Sequence, residues 1–203
     1  MAVATVVIVL VVLFVGRSTL AARDRSHVHV LTDANALTCE GTRVERRAVT
    51  HSDAGEVEIP MVQIERDMRC DYTFSVSNDG GERVRLQRVR FPFLGPAGGV
   101  PVEAVTLEPH GIRPNQEETV DAFTSAPVDA IFDVDVDLEP HSDTTLTLHL
   151  VYRPDGCLPA GGETRLWDTP KLTLRSRGVT GERTAATEGF GFIGHPILNC
   201  DGP

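Results

Sequence analysis

The chain has 203 residues, and its 19 basic and 29 acidic side chains give a formal net charge of −10 at neutral pH. A negative field of this size repels phosphate groups, so we expect no nucleic-acid partner. Lys171 is the one lysine beside eighteen arginines, a bias typical of GC-rich bacterial genomes. No shift of composition marks a domain boundary, and a chain of this length can form one domain with a sizeable core.

The first 22 residues are predicted to be a membrane-targeting segment. Residues 2–15 are uncharged and almost entirely apolar, and the segment reaches a bilayer-spanning length if it continues past Arg17 to Ala22. Two interpretations are open: a signal anchor that stays in the cell membrane, or a signal peptide cleaved at a small-residue site formed by Thr19 and Ala21. Because the basic start of a signal peptide is missing, we favour the anchor. The sequence thus predicts a single-pass membrane protein whose domain, residues 23–203, is extracytoplasmic.

The cysteines indicate an oxidising compartment. They are even in number, dispersed and outside any C-x-x-C pair, as expected for a disulfide framework behind a targeting segment. The cysteine pattern outweighs the evidence from the arginines that follow the apolar segment, which on their own favour a cytoplasmic domain. Among the three possible connectivities we favour two short loops, since these cost the least entropy to close; free buried thiols are the alternative. The favoured bonds are Cys39 with Cys70 and Cys157 with Cys200.

Beyond residue 25 apolar residues alternate with polar ones, which is the pattern of half-buried strands. In CDYTFSVSN, Tyr72, Phe74 and Val76 share one face. The NDGG that follows predicts a turn. ERVRLQRVRF then alternates again, with a phase slip at Gln87 and Arg88 where we expect a β-bulge. Weaker strands are predicted at HVHVL, TRVERRAV, EVEIPMVQIE, VPVEAVTL, PKLTLRS and TEGFGFI.

Two further strands are predicted in DAIFDVDVDLEPHSDTTLTLHLVYRP. Apolar and polar residues alternate in both halves of this stretch, and EPHSD between the halves predicts a turn. The two strands therefore form either a long hairpin or a pair that crosses between sheets. After the N-terminal segment no stretch repeats apolar residues at helical spacing over three turns. The fold class predicted for the domain is therefore all-β.

One resemblance to a known family is carried by these strands. YTFSVSNDGGERVRLQRVRF, followed by VDLEPHSDTTLTLHLVY, resembles bacterial extracytoplasmic immunoglobulin-like or fibronectin-type domains over about half of the predicted domain. The resemblance implies an immunoglobulin-like antiparallel β-sandwich. The chain departs from the antibody pattern because its one tryptophan, Trp167, does not lie in the core position between two cysteines.

The stretch GFGFIG has the G-x-G-x-x-G spacing of dinucleotide-binding loops, formed by Gly189, Gly191 and Gly194. That loop requires a helix, a second strand and an acidic residue about 20 positions later, and the nine residues after Gly194 leave no room for them. We therefore predict a closing strand and no nucleotide cofactor. Phe190 and Phe192 are expected to face the core, with glycines where another backbone comes close.

Two patterns are weighed as metal sites. DVDVD has aspartates at alternate positions, but an EF-hand would need glycine and glutamate where Leu138 and Thr144 stand. We expect its three carboxylates, those of Asp133, Asp135 and Asp137, to lie on a solvated strand face. His27 and His29 could share a strand face and bind copper or zinc, but the sequence shows no third ligand, so exposed polar positions are the default.

The arginines of VERR and RVRLQRVR form a basic stripe in the sequence. It could meet acidic partners or lipid headgroups, but we favour a mixed-charge sheet face in which arginines balance the aspartates. The stripe comprises Arg43, Arg46, Arg47, Arg83, Arg85, Arg88 and Arg90.

The sequence contains no G-x-S-x-G, H-E-x-x-H or S-x-x-K motif, and we predict no enzyme activity and no cofactor. The function predicted is a non-catalytic, membrane-anchored, extracytoplasmic binding or structural module, such as an accessory subunit of a bacterial envelope complex, whose partner is another protein. The alternative is a secreted metal-handling or hydrolytic protein with a site built from distant loops.

Overall fold

The computed structural model describes most of the chain as one helix and thirteen strands. The helix α1 (Ala2–Ser26) comes first. The described residues are 2–33, 35–51, 55–96, 99–109, 111–115, 128–154, 156–167, 169–185, 187 and 189–195. The strands are β1 (Val28–Leu31), β2 (Leu37–Glu40), β3 (Val44–His51), β4 (Gly55–Gln63), β5 (Arg69–Asn78), β6 (Val84–Phe91), β7 (Val102–Glu108), β8 (Ala130–Leu138), β9 (Ser142–Tyr152), β10 (Glu163–Leu166), β11 (Lys171–Ser176), β12 (Val179–Thr184) and β13 (Phe190–Ile193).

The strands form three sheets, so the all-β prediction is confirmed. The first sheet has the order β1-β5-β9-β7, with β2 also paired to β5; the second is β10-β13-β4-β3, and the third is β12-β11-β6-β8. Neighbouring strands are antiparallel except β13 and β4, which are parallel. All three sheets contribute to one main core. Its centre is aromatic and contains the rings of Tyr72, Phe74, Phe91, Phe132, Phe190 and Phe192.

The chain crosses between the first and third sheets at each of the four connections from β5 to β9, and two of these crossings are short turns. The NDGG turn leads from β5 in the first sheet to β6 in the third, and the turn after β8 returns to β9 in the first. Of the two interpretations of the β8–β9 stretch, the crossing between sheets is thus confirmed. Asn78 joins these two turns: it is fully buried, and its Nδ2 donates to the carbonyl oxygens of Glu82 at 2.8 Å and Leu138 at 3.1 Å.

The predicted β-bulge is confirmed. The register between β6 and β8 shifts between Leu86 and Arg88, so that Gln87 has no single partner on β8. On the β8 side, Asp135 has a positive φ of 53°. This backbone conformation is uncommon outside glycine, and aspartate is one of the residues that adopts it most readily.

Three strands were not predicted, namely β2, β10 and β12. Each is short, at four to six residues. β12 alternates between half-buried and exposed positions without a buried side chain, so its sequence has no apolar face to detect. Its place in the sheet depends on pairing with β11 over six positions.

The N-terminal helix differs from the predicted membrane anchor. α1 continues past Ala22 to Ser26, and residues 17–26 carry four charged side chains. Ala21 is fully buried. The uncharged run of residues 2–15 rises only about 21 Å as a helix, against a hydrocarbon core of about 30 Å. Across the described part of the chain, no helix is both long and apolar enough to cross a bilayer. The predicted location as a single-pass protein of the cell membrane is therefore wrong.

Candidate interaction surfaces

A polar clamp holds the last turns of α1 on the hairpin of β11 and β12. The hairpin turn consists of Arg177 and Gly178, whose positive φ angles of 50° and 78° are those of the tight turn favoured between antiparallel strands. This turn places the Arg177 side chain against the helix. Its Nε donates to Asp24 Oδ2 at 2.8 Å, and Ser176 Oγ donates to the same oxygen at 2.6 Å. Arg25 Nη1 donates to the Val179 carbonyl at 3.0 Å.

Asp24 is the charged centre of this clamp and is only 9% exposed. Burial acts to raise the pKa of its carboxyl, but the hydrogen bonds from Ser176 and Arg177 and the charge of Arg177 outweigh burial, so the pKa is lowered. A lowered folded pKa means that the ion pair stabilises the fold fully above about pH 4. The contribution is lost as the pH falls through the folded pKa.

We expect Asp24→Asn to lower the free energy of unfolding at neutral pH by about 1–3 kcal/mol, because it removes charge-assisted hydrogen bonds from a buried site. The difference from the wild-type protein should shrink as the pH falls below about 4 and should vanish below the folded pKa of Asp24, where the wild-type carboxyl is itself protonated. Urea unfolding at a series of pH values measures both effects. Asp143→Asn, an exposed position on β9, is the matched control and should change little. An equal loss in both variants would contradict the clamp.

The other end of α1 is an exposed apolar surface. Its large side chains are each at least half exposed, and Phe14 reaches 67%. These residues follow one another along the helix, so apolar side chains cover every face of this segment. We call it the apolar arm; it comprises Val6, Val7, Val9, Leu10, Val11, Val12, Leu13, Phe14 and Val15.

The predicted mixed-charge face lies on the third sheet. The β6 arginines stand opposite the β8 aspartates: Arg88 Nε lies 2.6 Å from Asp133 Oδ1, and Arg85 is hydrogen-bonded to both carboxylate oxygens of Asp135. The hydrogen bond from Arg85 lowers the pKa of Asp135. This confirms a solvated face on which arginines balance the aspartates. Because the pairs are exposed, their stabilising effect is small.

The arginines of the predicted stripe do not all meet. Arg83, Arg85, Arg88 and Arg90 belong to β6 or its start, whereas Arg46 and Arg47 lie on β3 in the second sheet. Their partners are likewise separate. Arg46 Nε lies 3.7 Å from Glu58 Oε2, and Arg47 Nη1 lies 2.7 Å from Glu163 Oε1. The sequence placed these arginines in similar alternating patterns, but only the pairing of strands decides which sheet each pattern joins.

His27 and His29 do not share a strand. His27 precedes β1, while His29 lies on it and is directed towards Asp79, with Nε2 3.9 Å from Oδ2. Within the described ranges, no group of three or more His, Cys, Asp and Glu side chains is arranged to hold a metal ion.

A third histidine, which sequence reasoning missed, forms the closest histidine–carboxylate contact that we find. His149 Nδ1 on β9 lies 2.6 Å from Asp71 Oδ1 on the neighbouring strand β5. A carboxylate in this position fixes the ring orientation of a histidine and leaves Nε2 available for proton transfer or a ligand. The pair borders a surface cavity of about 380 Å³, whose lining also includes Thr38, Glu40 and Arg69. The two residues are 78 positions apart in the chain, so no local motif could reveal them.

The disulfide prediction is confirmed for one pair. Cys39 and Cys70 are bonded and stand directly opposite each other on β2 and β5. Cys157 is also disulfide-bonded. Its predicted partner Cys200 lies outside the described residues. The free-thiol alternative is excluded for the three described cysteines.

GFGFIG forms the predicted closing strand, β13. Phe190 and Phe192 are fully buried and their rings meet edge to face, with centroids 5.7 Å apart. The glycines lie where backbones come close. A Cβ on Gly191 would stand 2.7 Å from the Thr164 carbonyl oxygen, and one on Gly194 would stand 2.0 Å from that of Pro159. Close approach of neighbouring backbones therefore accounts for glycine at these positions.

Comparisons with known proteins identify no family. No family model matches the chain, and no curated protein matches it. An X-ray structure of a Northeast Structural Genomics Consortium target, SoR45, is 11% identical with a TM-score of 0.34, covering 83% of this chain and 95% of that one. The alkylpurine DNA glycosylase AlkC of Pseudomonas fluorescens, bound to DNA containing an abasic site analog, is 9% identical with a TM-score of 0.28; the match covers 78% of this chain and 30% of the glycosylase. Both likenesses are too distant to carry an argument about this chain.

Proposed function

We propose that the chain is a non-catalytic binding module that attaches its all-β domain to a protein partner through the apolar arm. The observation that carries this proposal is the exposure of nine consecutive or near-consecutive large apolar side chains, from 51% at Val9 to 67% at Phe14. Exposed apolar patches of this extent mark interaction sites, since soluble proteins otherwise avoid them.

The form of the arm supports a particular kind of partner. A surface helix of a domain has one apolar face, whereas a helix that is apolar on all sides is surrounded by other groups. The arm rises about 15 Å over its ten positions, which suits a groove or a helix bundle in a partner protein. The clamp supports this assignment as well. Because the clamp fixes residues 17–26 on the domain, the apolar arm projects as a rigid extension. Binding a partner then does not include the entropic cost of ordering the arm.

We further propose that the domain is related to the bacterial extracytoplasmic immunoglobulin-like or fibronectin-type sandwiches, and that the module serves as an accessory subunit of an envelope complex. Mostly antiparallel sheets around one core and repeated chain crossings between sheets support the relationship. The Cys39–Cys70 disulfide supports the proposal that the protein functions in an oxidising compartment. A crystal structure whose sheets pair in a different strand order from these sandwiches would argue against the relationship.

Site-specific photo-crosslinking in the native cell tests the binding proposal. A photoreactive side chain at Leu10, Val11, Leu13 or Phe14 samples all faces of the helix, and we expect all four positions to form adducts with the same protein. Thr145, exposed on the outer face of β9, is the control position and should not form this adduct.

A charged variant completes this test. Leu10→Asp combined with Leu13→Asp should abolish the adduct formed from Phe14 while leaving the unfolding temperature of the domain unchanged, because both side chains are about 60% exposed. Adducts with lipid alone, or different proteins at each position, would contradict the proposal.

A further inference from the structure

The cavity beside the Asp71–His149 contact is built on the outer faces of two neighbouring strands, and we call it the β2–β5 cavity. Thr38 and Asp71 stand directly opposite each other on β2 and β5, as do Glu40 and Arg69. Opposed residues share one face of a sheet, and so do alternate residues of one strand. These four side chains therefore project together from the first sheet, where they line a volume of about 380 Å³.

The disulfide fixes the spacing of the cavity walls from the other side of the sheet. Cys39 is the residue between the two cavity residues of β2, and Cys70 is the residue between the two of β5. Cys70 belongs to the main core, so the covalent bond lies beneath the sheet and leaves the cavity open. The bond holds the short strand β2 on β5 at this point. Such preorganisation lowers the entropic cost of binding a small ligand.

Arg69 and Glu40 carry opposite charges that the domain itself does not use. Both side chains are exposed, and neither has an ion-pair or hydrogen-bond partner among the residues that the structure describes. Arg88 and Asp133 are likewise directly opposed on neighbouring strands, but their Nε and Oδ1 atoms lie 2.6 Å apart. In the β2–β5 cavity, by contrast, a guanidinium and a carboxylate are both available to a ligand.

Asp71 adds a second carboxylate, and its orientation is fixed. Its Oδ1 is hydrogen-bonded to His149 Nδ1 at 2.6 Å, which leaves Oδ2 for another donor. The cavity thus sets the guanidinium donors of Arg69 beside the carboxylate acceptors of Glu40 and Asp71. A guanidinium binds a carboxylate, and a carboxylate binds an ammonium group, through charge-assisted hydrogen bonds. The volume lies in the range of small-molecule sites, and the charged walls suit a small polar ligand.

We propose that the β2–β5 cavity binds a free α-amino acid. The ligand carboxylate binds the Arg69 guanidinium, and the ligand ammonium donates to Glu40 and Asp71. A ligand with only one of these charges leaves either the arginine or the two carboxylates without a partner. A simple anion is also repelled by the net charge of −10, whereas a zwitterion adds no net charge. The site is separate from the apolar arm and does not depend on the function proposed for it.

NMR titration of the isotope-labelled protein with glycine tests the proposal, since glycine carries the two charged groups that all α-amino acids share. We expect the amide signals of Glu40, Arg69 and Asp71 to shift and saturate. The affinity for glycine should be at least about tenfold above those for acetate and methylammonium, which each carry one of the two charges. Glycine betaine, which has no N–H donor, should also bind at least about tenfold more weakly. Equal affinities for glycine and acetate, or no saturable shift with glycine, would overturn the proposal.

Two variants assign the charges to their side chains. Arg69→Gln and Glu40→Gln should each weaken glycine binding at least about tenfold. The unfolding temperature should not change, because neither exposed side chain has a partner in the described part of the chain. The matched controls are Arg113→Gln and Glu56→Gln, at exposed positions outside the cavity, and both should bind glycine as the wild-type protein does. Wild-type affinity in either folded cavity variant, or equal losses in the controls, would overturn the proposal.

Discussion

Replacing Phe192 by alanine is expected to lower the free energy of unfolding by about 3–5 kcal/mol, the range for emptying a buried aromatic site. Phe192 is fully buried and packs edge to face on Phe190, whose centroid lies 4.7 Å from that of Tyr72. Removing the Phe192 ring therefore also removes packing contacts at the aromatic centre of the core. β13 is held between β4 and β10, so the site cannot readily collapse to fill the cavity.

Urea unfolding followed by circular dichroism measures the effect of this substitution. Phe93→Ala is the matched control, since the Phe93 side chain is 53% exposed. Its removal should change the free energy of unfolding by less than about 0.5 kcal/mol. Similar losses in the two variants would show that burial at β13 is not what stabilises the domain.

Removing the Cys39–Cys70 disulfide by a double replacement with alanine is expected to cost about 3–4 kcal/mol, from a closed loop of 31 residues. The bond stabilises chiefly because it restricts the unfolded chain. Within the fold it joins the four-residue strand β2 to β5 at directly paired positions.

The control for the disulfide is a non-covalent link on the same strand. Ser75 and Thr145 stand opposite each other on β5 and β9, and their hydroxyl oxygens lie 3.0 Å apart. Replacing both by alanine should cost no more than about 1 kcal/mol. If the two double variants unfold at the same denaturant concentration, the disulfide contributes little to the stability of this domain.

The existence of the strong strands was predictable because burial repeats along each of them. In β5 every second residue is buried, from Cys70 to Asn78, and the polar residues between them are half-buried. Alternation of this kind is visible in the sequence. Strand partners are not, because the same alternation suits any sheet with one buried face. β3 and β6 both carry arginines between apolar residues, yet the two strands join different sheets.

The surfaces were predictable only where one stretch of sequence contains the whole pattern. The β8 aspartates form such a stretch, and their solvated face was expected. The clamp was not, because Asp24 meets Ser176 and Arg177 across more than 150 residues. The apolar residues at the start of α1 dominate the hydropathy of the helix, so the sequence does not show that its charged end packs on the domain. The Asp71–His149 contact is hidden for the same reason of distance along the chain.

The placement of Asn78 has a consequence for how the domain opens. Its amide group bonds to the backbone at the end of the β5–β6 turn, at Glu82, and at the start of the β8–β9 turn, at Leu138. Separating the first sheet from the third at this end would leave a buried amide and its carbonyl partners unsatisfied together. The two sheets are thereby coupled into a single cooperative unit, so their slowest-exchanging amides should lose protection in one common opening event.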